Sequence, residues 1–149
     1  MTVKWSKLDE ACFLNVDLEI FSRSDLRPLV CAFGDEVIEM YVGRVKRTYE
    51  AHLELAGSRL RQTPSSIILG FCKLIEGLPR PQRRLWDSAK TRSFDVGIEA
   101  PAKDRHFWIA IPPEAVRAAA EVGAQIAITV YGPMKQAKTS QKGKSGTNL

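Results

Sequence analysis

The sequence predicts an α+β fold: a two-layer sandwich in which a mixed sheet of about six strands carries all its helices on one face. Three observations lead there. Several segments alternate apolar and polar side chains, the period of a strand with one buried and one wet face. Other segments repeat apolar residues at helical spacing and end on glycine. A strand–helix–Gly–strand–Gly unit also occurs twice, over residues 14–43 and 106–132, with Gly34 and Gly43 nine positions apart and Gly123 and Gly132 likewise. The expected order is β-α-β-β-α(α)-β-β-α-β, a packed two-layer class.

The first strand spans about residues 12–21, where Leu14, Val16, Leu18 and Ile20 alternate with Asn15, Asp17 and Glu19. Ser24 reads as the N-cap of a helix to Phe33, with Asp25 favourable in its first turn. Leu26, Leu29, Val30 and Phe33 form its apolar stripe, and Gly34 ends it in a left-handed turn. A second strand follows over about 37–42. Its apolar residues, Ile38, Met40 and Val42, run in the phase opposite to Ile126, Ile128 and Val130 in the second unit. That strand is therefore either buried on both faces or bulged. A third, over 47–56, sets Tyr49, Ala51, Leu53 and Leu55 against Glu50, His52 and Glu54.

Thr63-Pro64 is a helix start, a capping hydroxyl before proline at the first helical position. Ile67, Ile68, Phe71, Leu74 and Ile75 make one stripe, which Gly77 stops. A short helix near 82–90 follows Pro79 and Pro81, with Leu85, Trp86 and Ala89 as its apolar side. The fourth strand, 93–100, places Phe94, Val96 and Ile98 opposite Asp95, Gly97 and Glu99. The second unit supplies a fifth strand around Phe107 and Trp108, a helix after Pro112-Pro113 striped by Ala115, Ala118, Ala119 and Val122, and a last strand over 124–131.

A chain of 149 residues is long enough for one domain with a sizeable core, assigned to residues 1–134. Residues 135–149 are rich in Lys, Ser, Gly and Gln, with no apolar period, and read as a disordered basic tail. No run approaches the roughly 20 apolar residues of a membrane span. The start MTVKWSKLDEACF has no signal-peptide core, so a cytoplasmic protein is expected. Cys12, Cys31 and Cys72 are odd in number and without a CxxC pair, so they read as buried, reduced thiols. The net charge of +5 is unevenly spread. Residues 1–43 carry 4 basic and 8 acidic side chains, residues 44–92 carry 11 and 4, and the tail carries four lysines and no acid. The folded body is close to neutral, which weakens a nucleic-acid reading drawn from overall charge.

The wet face should present Asp17, Glu19, Glu50, His52, Glu54, Asp95 and Glu99. Six carboxylates there suit an ordinary solvated face, a docking surface for a basic protein, or a carboxylate cluster for metal or catalysis. Catalysis requires a concave, water-limited pocket, which favours a binding surface. His52 and His106, the two histidines, fall in no HxH, HxxxH or HExxH spacing and complete no nucleophile–His–acid set. No catalytic residue, metal ligand or cofactor is assigned. Flanked by carboxylates, His52 could act as a pH-sensitive contact. Trp108 is either an exposed anchor for a partner or part of a strand buried on both sides. Arg44, Lys46, Arg47, Arg59, Arg61, Arg80, Arg83 and Arg84 offer an alternative site, clamping phosphate or carboxylate on a small anionic ligand or RNA with help from the lysine tail. Pairing with acids such as Asp87 is the plainer role. Neither GxGxxG nor GxxxxGK[ST] occurs.

The run Leu85-Trp86-Asp87, then Arg92-Ser93-Phe94-Asp95-Val96-Gly97-Ile98-Glu99, with Leu14 to Ile20, resembles segments of uncharacterised small bacterial α+β proteins, some immunity-protein-like. The resemblance implies a non-enzymatic module that neutralises a protein partner by binding it. It carries no catalytic residues to transfer. A homodimer through an edge strand is a further expectation that the sequence leaves open.

Overall fold

A computed structural model describes residues 13–57, 63–100 and 106–132. The leader with Cys12, Arg59 and Arg61, and the basic tail lie outside the described residues. The elements run β1 (Phe13–Ser22), α1 (Arg27–Phe33), a 3-10 turn (Gly34–Glu36), β2 (Val37–Val45), β3 (Thr48–Leu55), α2 (Pro64–Glu76), α3 (Arg80–Ser88), β4 (Thr91–Glu99), α4 (Pro113–Glu121) and β5 (Gln125–Tyr131).

The fold is α+β. One mixed sheet has the order β2-β3-β1-β4-β5, antiparallel except for the parallel pair β4 and β5. The core lies between one face of this sheet and the helices. Val16, Leu18 and Ile20 of β1, Ala51 and Leu53 of β3, and Phe94 and Val96 of β4 are all fully buried there. Ile67, Ile68, Phe71 and Ile75 of α2 meet them, with the rings of Phe71 and Phe94 stacked at 5.8 Å. Each of the larger side chains contributes about 1.5–3 kcal/mol by leaving water.

Local signals placed several element ends. The Thr63 hydroxyl accepts from the Ser66 N–H at 3.2 Å, and Gly77 caps the other end of α2. Gly34 and Gly123, the helix-ending glycines of the two units, have φ of +59° and +77°, the left-handed region. The stripes ahead of them are buried as expected, Ala118 only in part. The start of α1 differs from expectation. Ser24 does not cap it; Arg27 is the first helical residue, Pro28 occupies the first turn, and Asp25 Oδ1 accepts from the Arg27 N–H at 2.9 Å.

Five strands are present among the described residues where about six were expected. The segment 106–112 is not a strand, because the position beside β4 is taken by β5 in parallel. A parallel neighbour needs a crossover, and 106–112 with α4 provides it. The second repeat unit is therefore β4-α4-β5. It matches β1-α1-β2, whose strands are also parallel but have β3 between them. The opposite phases of Met40 and Ile128 are resolved by a bulge in β2 between Glu39 and Tyr41. Cys72 is buried, and burial pushes its thiol up to about 11. Cys31 is exposed on α1, against expectation, because the stripe of that short helix is completed by Leu29, Val30 and Phe33.

Among the described residues, no helix is long and apolar enough to cross a membrane.

Candidate interaction face

The face of the sheet away from the helices is assembled by strand register. Asp17 on β1 lies opposite Glu54 on β3 and Asp95 on β4. Glu19 lies opposite His52, and His52 opposite Tyr41 on β2. Phe21 lies opposite Glu50, and Glu99 opposite Tyr131 on β5. All seven acidic-face residues read from the alternation thus share one face. No Lys or Arg occupies any strand position with that phase, because Arg44 and Arg92 fall in the other one.

The face is less wet than its composition suggests. Asp95 is 9% exposed. Its carboxylate accepts from the Thr129 hydroxyl, at 2.8 Å from Oδ1 and 2.9 Å from Oδ2. Asp17 Oδ1 is sealed from solvent without a hydrogen-bond donor among the described residues. Burial pushes the Asp17 carboxyl up to about 6; Glu54, Asp95 and Glu19 add to the rise, and His52 opposes it. Both aspartates sit in central strands, where neighbours on each side remove water that an edge position would keep.

His52 links the acidic residues to the aromatic ones. Its Nε2 is 3.2 Å from Glu50 Oε2 and its Nδ1 3.6 Å from Glu19 Oε1, both ion pairs when the ring is protonated. Phe21 and Tyr41 approach the same ring edge-on, with centroids at 5.9 and 6.2 Å. Ile38 and Tyr41, 49% and 43% exposed, extend the face toward the β2 edge. Sequence reasoning missed Tyr41, Ile38 and Thr129. Alternation could not find the first two, because the bulge reverses the phase midway along β2.

Trp108 does not belong to this face or to any strand. It is 71% exposed in the crossover before α4, while Phe107 and Ile109 on either side pack on the core. Among the described residues, no group of three or more His, Cys, Asp or Glu side chains is arranged to hold a metal ion.

The arginines of the alternative site fall on separate elements. Arg44 and Arg47 lie at the β2–β3 hairpin, where the Arg44 Nε donates to the Lys46 carbonyl at 3.0 Å. Arg80, Arg83 and Arg84 lie on α3, and Arg83 Nε pairs with Asp87 at 3.2 Å.

Arg92, which the sequence left inside a basic stretch, has a distinct structural role. Its Nε donates to the Gly123 carbonyl at 2.9 Å, and its Nη1 donates to the Trp86 and Asp87 carbonyls at 2.9 and 2.7 Å. Its guanidinium also lies over the Trp86 ring, 5.8 Å from the centroid. A charge inside this phase of β4 is tolerated because three backbone acceptors surround it.

No protein-family model matches this chain, and neither a curated protein nor a solved structure shows significant similarity to it.

Proposed function

We propose that this chain is a protein-interaction module, immunity- or inhibitor-like in action, that binds a basic protein partner through the open face of its sheet. The observation that supports it is the register of Glu19, Glu50, Glu54, Asp17 and Asp95 on one face whose described strand positions carry no Lys or Arg. Such a field attracts a basic surface and disfavours an acidic one, giving on-rate and specificity before affinity. Affinity would come from the apolar rim, where Tyr41 and Ile38 can desolvate against the partner.

The test replaces the more accessible carboxylates and spares the sealed Asp17. Tagged wild-type protein and a Glu19→Lys/Glu54→Lys variant are each used to capture partners from host lysate, with and without nuclease treatment. The expected result is a stoichiometric basic protein retained by the wild type and lost by the variant, with the variant's melting temperature preserved. Equal retention by both would overturn the reading. Capture of nucleic acid alone, abolished by nuclease, would do the same and transfer the function to the arginines.

A further inference from the structure

We propose that β5 is the contact between two copies of this chain, its free edge pairing antiparallel with the same strand of a second copy about a two-fold axis at Ile128. The inference is independent of the acidic face, since it concerns the sheet edge and the opposite side of the sheet.

The two edges of the sheet differ in kind. β2 has the features that discourage edge pairing: a bulge at Glu39 to Tyr41, charges at Glu39 and Arg44, and a side chain laid across it. Arg27 holds Glu39 with Nη1 2.9 Å from both carboxylate oxygens, and its Nη2 donates to the Val42 carbonyl at 3.2 Å. β5 has none of these. From Gly123 to Gly132 the sequence contains no charge and no proline, and the strand, Gln-Ile-Ala-Ile-Thr-Val-Tyr, is uninterrupted β-branched and small residues between its polar ends. Among the described residues it pairs on one side only, with β4.

The apolar residues left over on β5 point to the same solution. Ile128 pairs in register with Val96 and Val130 with Ile98, which places both on the side facing the helix layer. Val96 is fully buried and Ile98 nearly so, yet Ile128 and Val130 are 57% and 62% exposed. The helix layer therefore stops short of the outer strand. A two-fold axis at Ile128 sets Ile126 against Val130 of the second copy, Ile128 against Ile128, and Ala127 against Thr129. All seven residues of the strand are used, and three apolar pairs line up on the uncovered side. Val116, 47% exposed on α4, is then available to close over that stripe.

Charge selects a second copy over a charged partner. β5 carries no charge to pair with a charged partner, and a second copy brings the same uncharged strand to the contact. The protection of β2 makes the contact a closed one. β5 cannot add to β2 of another copy, which would propagate as a filament, so pairing ends at two chains.

The test is sedimentation velocity of the full chain over a concentration series, with Ile128→Lys and, as a control on the other edge, Ile38→Lys. The expected result is a dimer of wild type and Ile38→Lys. Ile128→Lys, which brings two like charges together at the axis, should weaken self-association by about 100-fold or more, while its thermal transition at dilution, where both proteins are monomers, is unchanged. A wild-type chain that stays monomeric at about 100 μM, where even a weak specific dimer would register, would overturn the proposal. So would a dimer that survives Ile128→Lys, or a ladder of species beyond the dimer. A monomeric wild type whose melting temperature falls on Ile128→Lys would mean that the same chain covers the strand, and would overturn it too.

Discussion

The indole N–H of Trp86 donates to the Val122 carbonyl at 2.7 Å, joining residues 36 positions apart, and Trp86 is fully buried. This bond ties the end of α3 to the turn that leaves α4, at the point where the crossover comes back toward β5. Arg92 secures the same junction from below, binding carbonyls on both sides of it. The crossover that makes β5 a parallel strand is thus held by a hydrogen-bonded aromatic residue and a guanidinium, in addition to apolar contact.

Trp86→Phe removes the donor, leaves the Val122 carbonyl unpaired and opens a space beside it. The expected loss is about 2–4 kcal/mol in unfolding free energy, read from the denaturant midpoint at unchanged slope. A loss below about 0.5 kcal/mol would mean the bond is peripheral to the fold.

Gly123→Ala meets two obstacles. The position has φ of +77°, and an added Cβ would lie 3.3 Å from the Arg92 guanidinium. The left-handed backbone alone costs about 1–2 kcal/mol for a residue with a side chain, and displacing Arg92 adds to it. Thermal unfolding should show a clear fall.

Thr63→Ala should destabilise by about 1 kcal/mol through loss of the bond to the Ser66 N–H at the start of α2. Thr63→Ser keeps the hydroxyl and should restore most of it. Equal unfolding midpoints for Ala and Ser would show that the cap contributes nothing.

Asp17 makes stability depend on pH in a direction opposite to that of a salt-bridged carboxylate. Its carboxyl is held up at about 6 in the fold against 3.8 ordinarily, so the folded state binds the proton more tightly than the unfolded chain does. Its contribution is therefore most favourable below about pH 4, falls as pH rises through the interval to about 6, and stays low above it. Asp17→Asn is neutral throughout. It should be more stable than wild type near pH 7 by about 1–2 kcal/mol, allowing for partial solvent screening, and the advantage should vanish near pH 4. Parallel stability curves for the two proteins between pH 4 and 7 would contradict this account.

What the sequence by itself determined is local. The alternation of β1 put Val16, Leu18 and Ile20 in the core and Asp17 and Glu19 on the other side. Helical spacing found the buried stripes of α1, α2 and α4, and Thr63, Gly34, Gly77 and Gly123 marked their ends. These signals depend on neighbours within a turn or a pleat, so they can be read one segment at a time. The acidic face was legible for the same reason, as a set of like phases. Tertiary structure alone decided which strands meet: that β3 lies between β1 and β2, that β5 pairs with β4 while the segment around Trp108 is no strand, and that the bulge at Met40 turns Tyr41 toward His52. It also decided that Asp17 and Asp95 are opposed and desolvated, and that Arg92 serves the Trp86 junction. Pairing partners and register are set by contacts between residues far apart in the chain, and no pattern inside a single segment encodes them.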